Sequence, residues 1–113
     1  MAYDEGLAQR VRELLEDHPL FTEKKMFGGI GFMIGGHMAA GVHKDGRLMV
    51  RCAKEDFDTF RSEPNGGSMK RGGKPMSGWL LVEPGGFEED EGLELWVGRG
   101  LAYAGGLPPK KKK

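Results

Sequence analysis

Ile30-Gly31-Phe32-Met33-Ile34-Gly35-Gly36-His37-Met38-Ala39-Ala40-Gly41-Val42-His43-Lys44-Asp45-Gly46-Arg47-Leu48-Met49-Val50-Arg51-Cys52 is the stretch that decides the fold. Apolar residues recur in it at every second position: Ile30, Phe32 and Ile34, then Met38, Ala40 and Val42, then Leu48, Val50 and Cys52. A period of two marks half-buried β-strands. The breaks between the runs are turn formers. Gly35-Gly36 supplies one tight turn, and Asp45-Gly46 reads as a two-residue type I′ hairpin turn with positive φ at both positions. Three antiparallel strands in a meander follow. Phe27 extends the first of them backwards, which predicts one long bent strand with a bulge at Gly28-Gly29.

Helical spacing lies on both sides of this meander. Leu7, Ala8, Val11, Leu14 and Leu15 form one stripe of an amphipathic helix from about Asp4 to Asp17, with Asp4 as N-cap and Pro19 forbidding continuation. Lys54 to Arg61 predicts a short helix with Phe57 and Phe60 on one face, ended by Pro64-Asn65-Gly66-Gly67. Met69 to Lys74 reads as a polar edge strand turning near Gly72-Gly73. Gly78 to Val82 reads as a strand with Trp79 and Leu81 on one face, Leu80 and Val82 on the other. After Pro84-Gly85-Gly86, Asp90 caps a last helix carrying Leu93, Trp96, Val97, Leu101 and Ala104. Gly98 and Gly100 each weaken that helix by ~1 kcal/mol relative to alanine, a cost that close packing would offset. The order is helix, three strands, helix, two strands, helix, which is α+β with an antiparallel sheet. Phe27, Phe32, Phe57, Trp79 and Trp96 are expected to share one core between sheet and helices.

The 113 residues suffice for one domain. Seventeen basic and seventeen acidic residues balance formally, but Lys110 to Lys113 hold four of the positive charges. Without them the body has 13 basic against 17 acidic residues, a net charge of −4, whereas a DNA-reading domain is normally basic over its body. We therefore expect a domain over residues 1–107 and a disordered basic tail over 108–113. The single cysteine, Cys52, excludes an intramolecular disulfide and a cysteine-based zinc framework. The acidic N-terminus is not a signal peptide, and no apolar run reaches the ~20 residues of a membrane span. The expected setting is cytoplasmic, with no membrane association.

No motif of catalysis or cofactor binding is complete. Gly28-Gly29-Ile30-Gly31 does not finish a dinucleotide fingerprint and no βαβ unit follows it. Gly67 and Gly72 have Walker A spacing, but Gly73 stands where the lysine belongs. Lys25 to Phe32 is out of register with the RNA-binding RNP1 motif, and its aromatics read as core. His37 and His43, six apart across a strand, lack a third metal ligand, so they read as surface histidines. Cys52, at the end of an apolar run, reads as a buried small hydrophobe rather than a nucleophile. We expect no catalytic residue, cofactor or metal. The acidic block Glu88, Glu89, Asp90 and Glu91 is the candidate contact for a protein partner. Arg47, Arg51, Lys70, Arg71, Lys110 and Lys111 are the candidate contacts if the partner is nucleic acid, provided that they share a face.

Lys24-Lys25-Met26-Phe27-Gly28-Gly29-Ile30-Gly31-Phe32-Met33, followed by Gly41-Val42 and Leu48-Met49-Val50-Arg51, resembles the signature of the TfoX N-terminal domain family. Lys74-Pro75-Met76-Ser77-Gly78-Trp79 resembles its second landmark, and Leu107-Pro108-Pro109 with trailing lysines its ending. The resemblance spans Leu7 to Lys113. It implies a secretion-chaperone-like helix-β3-helix-β2-helix fold and carries over no catalytic residues. Full-length family members are competence regulators that act with the cyclic-AMP receptor protein and carry a second, helical domain, and this chain stops where that domain would begin. The implied function is a non-enzymatic regulatory or adaptor module that binds a protein partner. The alternative is a nucleic-acid-associated transcriptional regulator, and a small-ligand-binding or enzymatic domain is the third reading. Specific DNA binding by this domain alone is not expected.

Overall fold

The computed structural model describes residues 4–26 and 28–108, with all their side chains except those of Met26 and Arg71. Helix α1 (Glu5–Leu15) begins where Asp4 accepts the Leu7 backbone N–H at 3.0 Å, which satisfies one of the orphan donors of the first turn. Leu7, Ala8, Val11 and Leu15 are buried along one side, while Leu14 stands out of the stripe. Six strands follow: β1 (Phe21–Met26), β2 (Gly29–Ile34), β3 (His37–Val42), β4 (Leu48–Arg51), β5 (Ser68–Arg71) and β6 (Lys74–Val82). They form one antiparallel sheet in the order β1-β2-β3-β4-β6-β5. Helix α2 (Lys54–Arg61) joins β4 to β5. Helix α3 (Asp90–Gly105) follows a 3-10 turn at Pro84–Gly86. The α+β class and the antiparallel sheet are as the sequence implies.

The expected long bent strand is instead a hairpin, so four strands rather than three separate α1 from α2. Phe21 pairs with Ile34 and Met26 with Gly29, and Gly28 takes a φ of +79° at the reversal, a conformation that glycine adopts without steric cost. β1 escapes the alternation test because its helix-side positions are mixed. Phe21 stacks on Phe32 with ring centroids 6.1 Å apart. Glu23, two residues on, accepts from Arg12 Nη2 of α1 at 2.9 Å, and the Arg12 hydrogen bond holds its carboxyl below the usual range. A charge pair thus stands where the pattern wants a hydrophobe.

The hairpin at Asp45-Gly46 exists, with Val42 opposite Leu48, but its turn is longer than two residues. Gly46 N–H donates to the His43 carbonyl at 2.9 Å, and His43 N–H to the Arg47 carbonyl at 2.8 Å. Gly46 alone of the pair has positive φ, +91°, the arrangement of a type I turn with a following left-handed residue. Asp45 uses its carboxylate instead, accepting Arg47 N–H at 3.1 Å and Arg47 Nη2 at 2.7 Å. The Arg47 guanidinium holds the Asp45 carboxyl at about 2, down from 3.8. Because the folded value is the lower, the stabilisation is complete above the unfolded value and is lost as pH falls through the folded one. An NMR titration of the Asp45 side chain is expected to show a midpoint near about 2. Asp45→Asn should cost under ~1 kcal/mol, since the pair is solvent-screened. A midpoint in the ordinary aspartate range would mean that the turn does not hold this ion pair.

All three helices cover the same face of the sheet. Phe32, Ile34, Leu48, Val50, Leu80 and Val82 pack there under Val11, Leu15, Phe57, Leu93, Trp96 and Val97. At Gly100 α3 lies tight against the sheet, since an added Cβ would stand 1.9 Å from the Ala39 carbonyl oxygen; at Gly98 nothing lies within 4 Å. Arg99 grips Glu63 with both guanidinium nitrogens, at 2.8 and 3.0 Å, and lies 4.2 Å from the Phe60 ring centroid and 4.7 Å from that of Trp96. This ties α3 to the loop after α2. The N-cap of α3 is Glu89 rather than Asp90, which is the first helical residue. Phe32, Phe57 and Trp96 join the helix-side core as expected, but Trp79 lies on the other face, because β6 alternates and Leu80 and Val82 take the helix side. Phe27 and the tail lysines Lys110 to Lys113 lie outside the described residues. No described helix is long and apolar enough to cross a membrane.

Candidate functional site

The face of the sheet that the helices leave bare is apolar as well. Alternation sends Met33 of β2, Met49 of β4, and Trp79 and Leu81 of β6 to that side. Met38 joins them through an irregularity in β3. The register shifts between Phe32 and Met33, so that Phe32 opposes Ala40 while Met33 opposes Met38. Ala39 and Ala40 then both pack on the helix side, and Met38 does not share the face of Ala40 and Val42 that simple alternation assigned to it. Met38, Met49 and Leu81 are buried as a floor, and Met33, Met69 and Trp79 pack half-exposed against it.

An open pocket of about 290 Å3 lies on this face, lined by Gly29, Met38, His43, Lys44, Met49, Met69, Met76 and Trp79. Hairpin residues Met69 and Met76 face sheet-centre residues Met38 and Met49 across it. Met33, Met38, Met49, Met69 and Met76 are all the methionines whose side chains are described, and every one is at this face; the helix-side core contains none. Methionine is unbranched and polarisable, so such a floor repacks around partners of different shape. An adjoining recess is bordered by His43, Arg47, Met69, Lys70 and Leu81.

The charge around the pocket is positive. Lys44 is exposed at its rim, Lys70 is exposed at the adjoining recess, and Lys24, opposite Gly31, shares the Gly31 and Met33 face. The nearby carboxylates are both engaged: Asp45 holds Arg47 and lies 3.0 Å from His43 Nδ1, while Glu83 accepts from Arg47 Nη1 at 3.1 Å. Arg51 is enclosed, its guanidinium 4.2 Å from the Trp79 ring centroid and 5.0 Å from that of Tyr103. It donates to the Gly78 carbonyl at 3.2 Å and to Tyr103 Oη at 3.0 Å. Of the basic set singled out from the sequence, Lys70 is exposed, Arg47 is ion-paired and Arg51 is held by the aromatics. The Arg71 side chain, Lys110 and Lys111 lie outside what is described.

The acidic candidates sit elsewhere. Glu88 and Glu89 are exposed just before α3, and Asp90 and Glu91 open it, with Asp90 3.1 Å from Arg10 of α1. They belong to the helical layer. His37 Nε2 lies 2.8 Å from the Pro108 carbonyl, whereas His43 meets Asp45, so the two histidines have different partners. Among the described residues no group of three or more His, Cys, Asp or Glu side chains could hold a metal ion. Cys52 is buried, and burial pushes its thiol up from 9.0, away from the reactive thiolate. The pocket itself offers His43 and Lys44 as polar groups among thioethers and an indole, a lining suited to binding. Sequence reasoning missed this face because methionine counts as generic core; Met33, Met49 and Leu81, each one step out of phase with its strand's main run, were the available signal.

Comparison with curated proteins and with solved structures finds no match. The family model described as the TfoX N-terminal domain matches residues 13–104, which takes in the sheet, the last turn of α1, α2 and nearly all of α3. The chain belongs to the TfoX N-terminal domain family.

Proposed function

We propose that this domain is a non-enzymatic regulatory or adaptor module, acting in the cytoplasm, that docks a protein partner on the bare face of its sheet. One observation carries the reading: three helices seal one face, while the other presents a methionine floor, a pocket and a polar rim. Apolar sheet faces are normally covered by a second layer, and contiguous apolar surface on a small domain marks interaction. Membership of a regulatory-type family agrees with it. The acidic residues Glu88, Glu89, Asp90 and Glu91 offer a second contact, suited to a basic partner.

Affinity capture from the native cell with nuclease treatment, read by mass spectrometry, tests the proposal. A specific protein should be retained by the wild type and lost with Met69→Glu/Met76→Glu. Loss instead with Glu88→Lys/Glu89→Lys/Glu91→Lys would move the contact to the helical layer, and capture that nuclease abolishes would favour the nucleic-acid reading.

That alternative draws support from the exposed Lys24, Lys44 and Lys70, but Arg47 and Arg51 are engaged internally, and no helix offers a basic reading face. Duplex DNA is therefore expected to bind weakly, without sequence preference and with steep salt dependence, and not at all once Lys110 to Lys113 are deleted. Titrations at two salt concentrations with intact and tail-less protein check this. Tight, sequence-selective binding by the tail-less form would promote the transcriptional reading.

A further inference from the structure

The charges of the chain are sorted by layer. Every acidic residue except Asp45 and Glu83 lies on a helix, in a segment flanking one, or, as Glu23, against α1; Asp45 and Glu83 are both spent on Arg47. The bare face of the sheet is left with exposed Lys44 at the methionine pocket, Lys70 at the adjoining recess, and Lys24 on the Gly31 and Met33 face. A domain whose body carries a net charge of −4 thus has one locally positive, apolar surface.

From this we infer that the occupant of the bare face is an amphipathic helix with acidic flanks. The inference rests on the docking function proposed above and names the partner's chemistry. A helix is the element that covers a sheet face in this very fold, where α3 lies on β3 and β4. Bulky apolar residues at helical spacing would enter the pocket between Met49 and Met69, and the thioethers would repack around them. Aspartate or glutamate flanking those anchors would meet Lys44 and Lys70, while lysine or arginine there would face like charge. A second copy of this chain would bring its acidic helical layer to the same face, but in a head-to-tail contact that builds rings or open chains instead of a two-fold dimer.

The test uses the full chain with 13C-labelled methionine methyl groups and two synthetic helical peptides. Both carry the same leucine and phenylalanine stripe; one has glutamate flanks, the other lysine flanks. The glutamate peptide is expected to shift the methyl resonances of Met38, Met49, Met69 and Met76. The lysine peptide should bind at least about tenfold more weakly. The exposed-site variant Lys44→Glu/Lys70→Glu should reverse that preference while leaving the melting temperature unchanged.

Equal binding of the two peptides, or shifts confined to residues outside the pocket, would overturn the assignment. So would stronger shifts of the same resonances by decanoate or by single-stranded oligothymidylate, which would make the face a site for an apolar carboxylate or for nucleic acid. Concentration-dependent association of the free protein that removes the peptide response would assign the face to a second copy. If the peptides fail while cellular capture still depends on Met69 and Met76, the docking function stands and only the acidic helix is lost.

Discussion

Gly100→Ala is expected to destabilise the domain by about 3 kcal/mol, at the upper part of the range for overpacking, while Gly98→Ala, two positions away, should stabilise it by roughly 0.5–1 kcal/mol. Both residues lie in α3 and both weaken it intrinsically. The surroundings decide the sign. A Cβ at position 100 would stand 1.9 Å from the Ala39 carbonyl oxygen and 2.8 Å from its carbon. Those are backbone atoms of β3, fixed between Met38 and Ala40, which pair with Met33 and Phe32 of β2, so the helix itself would have to lift. At position 98 nothing lies within 4 Å, and the added methyl group only restricts the unfolded chain. Chemical denaturation of the two variants decides the matter. Equal effects would mean that α3 does not seat on β3 through Gly100.

Trp96→Ala should cost about 3–5 kcal/mol, the usual penalty for truncating a buried aromatic. The side chain is 3% exposed in the helix-side core. Its ring edge lies against Gly66 and its Nε1 side against Gly86, where added Cβ atoms would stand 3.3 and 3.2 Å away, and Arg99 covers it. Those neighbours come from the loop after α2 and the turn before α3, two irregular segments that cannot both collapse into the hole. For a domain near this size the melting temperature should fall by more than about 10 °C. An unchanged denaturation midpoint would show that α3 presents a different face to the sheet.

The contrast between Gly98 and Gly100 also shows where sequence reading stops. Spacing gave the helices well: Asp4 caps α1, and α2 occupies Lys54–Arg61 as its aromatic spacing and flanking breakers indicate. Those signals are local and repeat within a turn. Which glycine of α3 meets a strand depends on β3, some sixty residues earlier, and leaves no local mark. β1 was hidden for the same reason, since Glu23 is explained only by Arg12 on another element. Within the basic set, Arg47 finds Glu83 and Arg51 finds Tyr103 across the fold, partners that no local pattern marks. The bare face needed one further piece of information, the irregularity in β3 that sends Met38 outward.

The segregation of methionine to one face has a chemical consequence. Thioethers are oxidised by peroxides to sulfoxides, which turns a flexible apolar side chain into a polar one. In most domains such damage reaches the core and unfolds the protein. Here the helix-side core holds no methionine among the described residues, and its sulfur is the buried thiol of Cys52. Among the described methionines, oxidative ageing would therefore strike Met33, Met69 and Met76, the partly exposed ones of this face, ahead of Met38 and Met49. The domain would remain folded under its helices while the opposite surface lost its apolar character, and sulfoxide reductases could restore that surface without any refolding.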